Sequence, residues 1–254
     1  MSLLRAWILL PLLILAACAP VRPDHRPFSA KRVLIFSHTT GYRHESIAAG
    51  VPALSRLVRD QGYSAVASES PEIFTPKSLE DFDAIILLST TTDPKDAASE
   101  WLTGPRAEAL QAFVRKGGGI VAIHAAADSH YHSPWYQALI GGQFARHPAG
   151  TPKGKLIVTN PEHPATRALP VSNERVDEWY LIRGFGPKSR LLLTLDPASI
   201  GEQGNPWPIA WTRTEGSGRI FYTALGHTSE SYSDPYFLDH VKGAIAWVLN
   251  EEPR

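Results

Sequence analysis

The stretch GGGIVAIHAAADSHYH, residues 117–132, sets three histidines and an aspartate within nine positions, straight after a short apolar run. An imidazole both takes and gives protons near neutral pH, and a carboxylate can orient it or share a cation with it. His124 and Asp128 are therefore candidate acid/base groups. Similar polar clusters follow other apolar runs: SHTTGYRHES (37–46) with His38, Tyr42, Arg43 and His44, STTTD (89–93), and GHTSESY (226–232) with His227 and Glu230. His124 and His227 are also the candidate ligands of a divalent metal, through imidazole nitrogen. Not every histidine has this standing. His130 and His132 sit two apart in loop-like sequence and read as peripheral, while His147 and His163 each precede a proline, which holds a residue extended and fixes turns. None of the spaced zinc signatures occurs.

Such clusters become a site only if elements bring them together. Apolar strand-like runs alternate with helical patterns, the signature of an open, mostly parallel α/β sheet with helices on both faces. KRVLIFSH (31–38), YSAVAS (63–68), FDAIILLS (82–89) and GGGIVAIH (117–124) read as the first four strands. Ile47, Val51, Leu54, Leu57 and Val58 recur at helical spacing after the first, and a helix over about 105–116 precedes the fourth. KLIVTN and RLLLTLD follow, then a hairpin, PIAWTRTEGSGRIFYTAL, turning at 215–218. Asp234 and Pro235 start a final helix. In doubly wound sheets ligands sit beyond the carboxyl ends of the strands, at the switch in strand order. The polar clusters all fall there.

With 254 residues and 43% hydrophobic content, the chain suits one domain. Twenty-five basic side chains balance twenty-five acidic ones, which argues against nucleic-acid binding. The opening MSLLRAWILLPLLILAAC reads as a secretion signal, too short in its apolar run to span a bilayer. Its end, Leu15-Ala16-Ala17-Cys18, resembles a lipoprotein cleavage box. Residues 1–18 are then a signal, Cys18 the lipidated first residue, and the proline-rich 19–30 a tether to a domain over 31–250. The plainer alternatives are a signal cut near Ala17 or an uncleaved anchor. Ala19 after the cysteine resembles the pattern that sorts to the outer membrane, facing the periplasm. Cys18 is the sole cysteine, so the mature domain has neither a disulfide nor a thiol nucleophile.

Six ordered motifs resemble the ThuA-like, trehalose-utilisation family: TGYRHESI (40–47), GGGIVAIHAAAD (117–128), WYQALIGGQFARHP (135–148), NPEHPATRALP (160–170), DEWY (177–180) and FYTALGHTSESYSDPYF (221–237). The family's fold is like that of class I glutamine amidotransferases, a flavodoxin-like arrangement. By this resemblance VAIHA falls at the elbow that presents the amidotransferase cysteine, with His124 in its place. ALGHTSE resembles the segment carrying that enzyme's histidine and glutamate, here His227 and Glu230, with Glu230 orienting His227. Acyl transfer from glutamine needs a thiolate and is excluded. The family name implies a sugar or modified sugar as substrate; an oxidised (keto) sugar is one candidate, and hydrolysis, elimination and isomerisation stay open as reaction types. His124, His227, Glu230, Asp128 and Glu178 are the candidate catalytic groups, by acid/base or metal-assisted chemistry. His38, Tyr42, Arg43, His44, Trp135 and Tyr180 are the candidate substrate contacts, though about half of the aromatic residues should simply fill the core. A glycoside hydrolase would need Asp128 paired with Glu178 or Glu230. The other class of reading is a catalytically silent carbohydrate-binding or scaffolding lipoprotein. No nicotinamide cofactor is expected, because the glycines at 117 precede a strand rather than open a helix.

Overall fold

A computed structural model describes residues 31–252; the signal, Cys18 and the tether lie outside them. The chain forms strands β1 (Arg32–Phe36), β2 (Ser64–Ser68), β3 (Ala84–Leu88), β4 (Gly119–Ile123), β5 (Gln143–Arg146), β6 (Lys153–Val158), β7 (Ser172–Val176), β8 (Leu181–Arg183), β9 (Arg190–Asp196), β10 (Trp207–Glu215) and β11 (Gly218–Thr223). Its helices are α1 (Ser46–Asp60), α2 (Pro76–Leu79), α3 (Gly104–Arg115), α4 (Pro134–Ile140) and α5 (Pro235–Val248).

Nine strands make one open sheet in the order β2-β1-β3-β4-β11-β10-β9-β6-β7, and β5 pairs with β8 in a separate ribbon. The expected parallel arrangement holds for the half that bears the polar clusters, β2 to β11. Beyond β11 every pairing is antiparallel, so the sheet is mixed. The reason is connectivity: no full-length helix separates β5 through β10, and a chain that turns back without a crossover pairs antiparallel. Side-chain patterns agree. AIILL of β3 and GIVAI of β4 are buried throughout, as strands covered on both faces must be, while β6 alternates exposed and inward residues.

The order reverses at β1, with β2 on one side and β3 on the other. Right-handed crossovers running in opposite directions put α1 and α3 on opposite faces. Ile47, Leu54 and Val58 of α1 are buried, with Val51 and Leu57 packed beside them, as their spacing requires. α5 starts where Asp234 accepts the Tyr236 N–H at 3.0 Å. The β10–β11 hairpin pairs Glu215 with Gly218 across a two-residue turn. Among the described residues no helix is long and apolar enough to cross a membrane.

Candidate active site

His124 is the first residue past β4, and its backbone is in the left-handed region at φ 49°, uncommon for a residue with a Cβ. Two contacts hold it there. Its Nδ1 lies 2.7 Å from the Ala224 carbonyl, and its own carbonyl accepts the Tyr222 hydroxyl at 3.0 Å. Because a carbonyl only accepts, Nδ1 carries a proton, and in the imidazole form Nε2 presents a lone pair.

That lone pair meets two others. His124 Nε2 is 3.1 Å from His227 Nδ1 and 3.4 Å from Glu178 Oε2, and His227 Nδ1 is 3.2 Å from the same Oε2. His44 brings a fourth donor: the four groups each offer one ligand atom, all within 4.8 Å of one another. Its ring stands edge-on to His124 and His227, and its buried Nδ1 has no partner. Three electron-rich atoms this close need a positive centre among them, either a proton on His227 Nδ1 or a cation.

The electrostatics follow the geometry. Burial would raise the Glu178 pKa, but the adjoining imidazoles of His124 and His227 outweigh it and hold the carboxyl well below its usual range. The same carboxylate raises His227. Burial, reinforced by His124 and His227, lowers His44 to about 3, so it stays neutral and able to ligate. Tyr180 packs on His124 with ring centroids 4.4 Å apart and is pushed up by burial.

Asp177 fastens the site. Its fully buried carboxylate accepts the backbone N–H groups of Glu178, Gly226 and His227 at 2.9, 3.1 and 3.1 Å, so one side chain ties together the segments carrying two of the donors. Gly41 permits the close pass of the loop carrying His44: a Cβ there would lie 2.7 Å from the Thr92 carbonyl carbon. A cleft of about 340 Å³ opens at the His44 and His227 side of the group, lined also by Tyr42, Thr151 and Glu230. A larger one, about 680 Å³, lies at the amino ends of the strands around Lys31, Gly118 and Arg219, and no histidine lines it.

The structure thus brings together His44, His124, Glu178 and His227. Asp128 lies near enough to feel His124 and Glu178, accepts the Tyr131 hydroxyl, and is raised mainly by burial. Glu230 lines the cleft but is exposed, and no hydrogen bond or ion pair joins it to His227; Glu178 occupies that role instead. Tyr42 stands exposed at the rim, edge-on to His44. Arg43 turns away to Glu69 at 2.7 Å, and His38 is half-buried beside Phe36 and Trp101. Trp135 packs against the core from α4. His130 is a core residue accepting the Leu102 N–H, and His132 pairs with Glu100 at 3.0 Å. Sequence assigns Asp177 no role and His147 only a turn before proline, yet His147 Nδ1 reaches Glu178 Oε1 at 3.2 Å. The one clue was their place in the DEWY and WYQALIGGQFARHP motifs.

An open α/β sheet in the 2-1-3-4 order, with a sharp elbow after its central strand and a histidine beyond the neighbouring one, defines the class I glutamine amidotransferase-like fold. The chain belongs to the ThuA family, described as trehalose utilisation, whose model matches residues 32–248. A ThuA-like protein of Bacteroides uniformis superposes with a TM-score of 0.70 at 22% identity, covering 91% of this chain and 98% of that one. Another, from Parabacteroides merdae, gives 0.73 at 18% identity, with 89% and 92% covered. A β-galactosidase from Bacillus circulans shares the fold at 0.54 and 13% identity, over 88% of this chain and 32% of its own. No curated protein matches in sequence.

Proposed function

We propose that this protein is a carbohydrate-processing enzyme acting on a sugar or oxidised sugar, with His124, His227 and Glu178 at its reacting centre and a divalent transition metal completing that centre. The observation that carries the reading is the donor spacing. Separations of 3.1, 3.2 and 3.4 Å match the roughly 3.3 Å edge of a tetrahedron whose ligands lie about 2.0 Å from a zinc-like ion. His44 supplies the fourth ligand, or leaves its place to substrate. The Ala224 carbonyl fixes the His124 tautomer as outer partners of metal-bound histidines do. Such an ion, when bound, polarises a carbonyl or lowers the pKa of a hydroxyl.

The chain's own groups do the rest. Glu178 supplies the centre's one negative charge, Tyr180 walls the site, and exposed Tyr42 offers a sugar an apolar face. A metal-free version is supported by the raised pKa of His227: its Nδ1 proton would then bridge Glu178 and His124, and His227 would serve as general acid. We place the enzyme on a lipid anchor at Cys18, facing the periplasm.

The test is elemental analysis and calorimetric titration of the 19–254 fragment against Zn²⁺ or Mn²⁺, then against trehalose and its keto relatives with and without chelator. Stoichiometric metal, lost in His227→Ala together with turnover, supports the metal-assisted enzyme. Turnover that survives chelator leaves the acid/base version. Sugar binding without turnover, unaffected by His227→Ala, overturns the enzyme reading and leaves the binding lipoprotein. Loss of labelled-acyl incorporation in full-length Cys18→Ser checks the anchor.

A further inference from the structure

A second cleft, of about 540 Å³, lies between α4, β5, β8 and β10, and shares no lining residue with the cleft over His227. Arg183, Lys188 and Arg213 line it, and no acidic residue does. None of the three makes an ion pair among the described residues; Glu215 acts on Arg213 only through space, and burial lowers the Arg213 guanidinium. Three cations thus line one cavity in which no carboxylate stands, an arrangement that an anion would complete.

The neutral donors point the same way. Gln143 is only 3% exposed, and its Oε1 accepts from Arg183 Nε at 2.9 Å. A guanidinium has no acceptor, so the amide orientation is settled and Nε2 is the atom left over. That Nε2 is buried without a partner, as are Arg213 Nε and Ser189 Oγ. Gly141, at φ 89°, sits against Ser189 and Arg213. A Cβ there would lie 2.8 Å from Ser189 Oγ and 2.9 Å from Arg213 Nη1, so a side chain would push these donors out of place.

We infer that this cleft is a phosphate-binding site, taking inorganic phosphate or the phosphate of a small-molecule monoester. Guanidinium forks and an ammonium are the groups that recognise phosphate, and three positive charges suit its dianion better than a carboxylate's single charge. Contacts run from the site toward the histidine centre: Arg183 lies over the Tyr131 ring at 5.9 Å, and the Tyr131 hydroxyl donates to Asp128, which stands near His124. The site does not depend on the reaction carried out there.

The experiment is calorimetric titration of the 19–254 fragment with inorganic phosphate, glucose 6-phosphate and, as the carboxylate control, gluconate. One phosphate per chain is expected, bound roughly tenfold or more weakly by Arg213→Met and several-fold more weakly by the exposed-site variant Lys188→Ala, and unchanged in His227→Ala. Tighter binding of glucose 6-phosphate than of phosphate identifies an ester as ligand, and the reverse identifies the free ion; both sustain the site. It is overturned by no binding at roughly millimolar phosphate, by gluconate binding more tightly than either phosphate, by binding indifferent to both Arg213→Met and Lys188→Ala, or by binding that only His227→Ala abolishes.

Discussion

Glu178 rather than Glu230 is the carboxylate that sets the charge of His227. Replacing it by glutamine removes the interaction that raises the imidazole, leaving burial, which lowers it. In Glu178→Gln the NMR titration of His227 is therefore expected to move to lower pH, and kcat/KM on whichever sugar is turned over to fall by about a hundredfold. Glu230→Gln should change neither. An unchanged His227 titration in Glu178→Gln sinks the assignment. The sign has a counterpart in stability: because His227 is raised on folding, its pair with Glu178 contributes fully below the unfolded value of 6.5, and the contribution fades as pH rises through the higher folded value.

Strand-end loops fail or succeed together, because each donor arrives on a different one. Asp177 links the β7–β8 and β11–α5 connections through three backbone N–H groups. Asp177→Ala strands those buried donors and is expected to cost roughly 3 kcal/mol in denaturant unfolding, with metal affinity lost as well. Asp177→Asn keeps an acceptor and should recover part of both. Gly41→Ala forces the His44 loop off the β3 loop at Thr92, where Gly41 N–H also meets the Thr91 carbonyl. A stability loss of about 1–3 kcal/mol is expected, with weaker metal binding, by melting temperature and titration. Wild-type behaviour in both would mean the loop tolerates the displacement and does not place His44. The central strands were legible because runs such as AIILL are apolar without interruption. β7, SNERV, was not: it is short, polar and at the sheet edge, where one buried residue suffices.

Across the whole molecule, acid should unfold the protein earlier than its carboxylates alone would require. His130 is held at about 3, and His163 and His240 at about 4, each chiefly by burial. Protonating His130 or His163 also displaces a backbone donor, Leu102 N–H or Ala165 N–H. These pKa values are depressed on folding, so the unfolded chain binds the extra protons between about pH 6.5 and 4, and stability falls as pH falls through that window. Each histidine contributes at most about 1.4 kcal/mol per pH unit. Thermal melts from pH 7 to 4.5 should show the decline, and His240→Phe, if it packs, should flatten it; a melting temperature constant over that range would contradict the buried-neutral assignment.

The sequence by itself determined the α/β class, the family, the lack of any cysteine after position 18, and the placing of His124 and His227 just past strand ends, because apolar continuity and the place of a residue after a strand are local properties. It could not separate Glu178 from Glu230, assign Asp177, or show which histidines are core. Those depend on which loops meet: Glu178 reaches His227 only because β7 and β8 carry the DEWY segment across the carboxyl ends of the strands. The cationic cleft is the clearest case. Arg183, Lys188 and Arg213 have nothing in common as a pattern, and only the packing of β5 and β8 beside β10 leaves them facing one space without an acid.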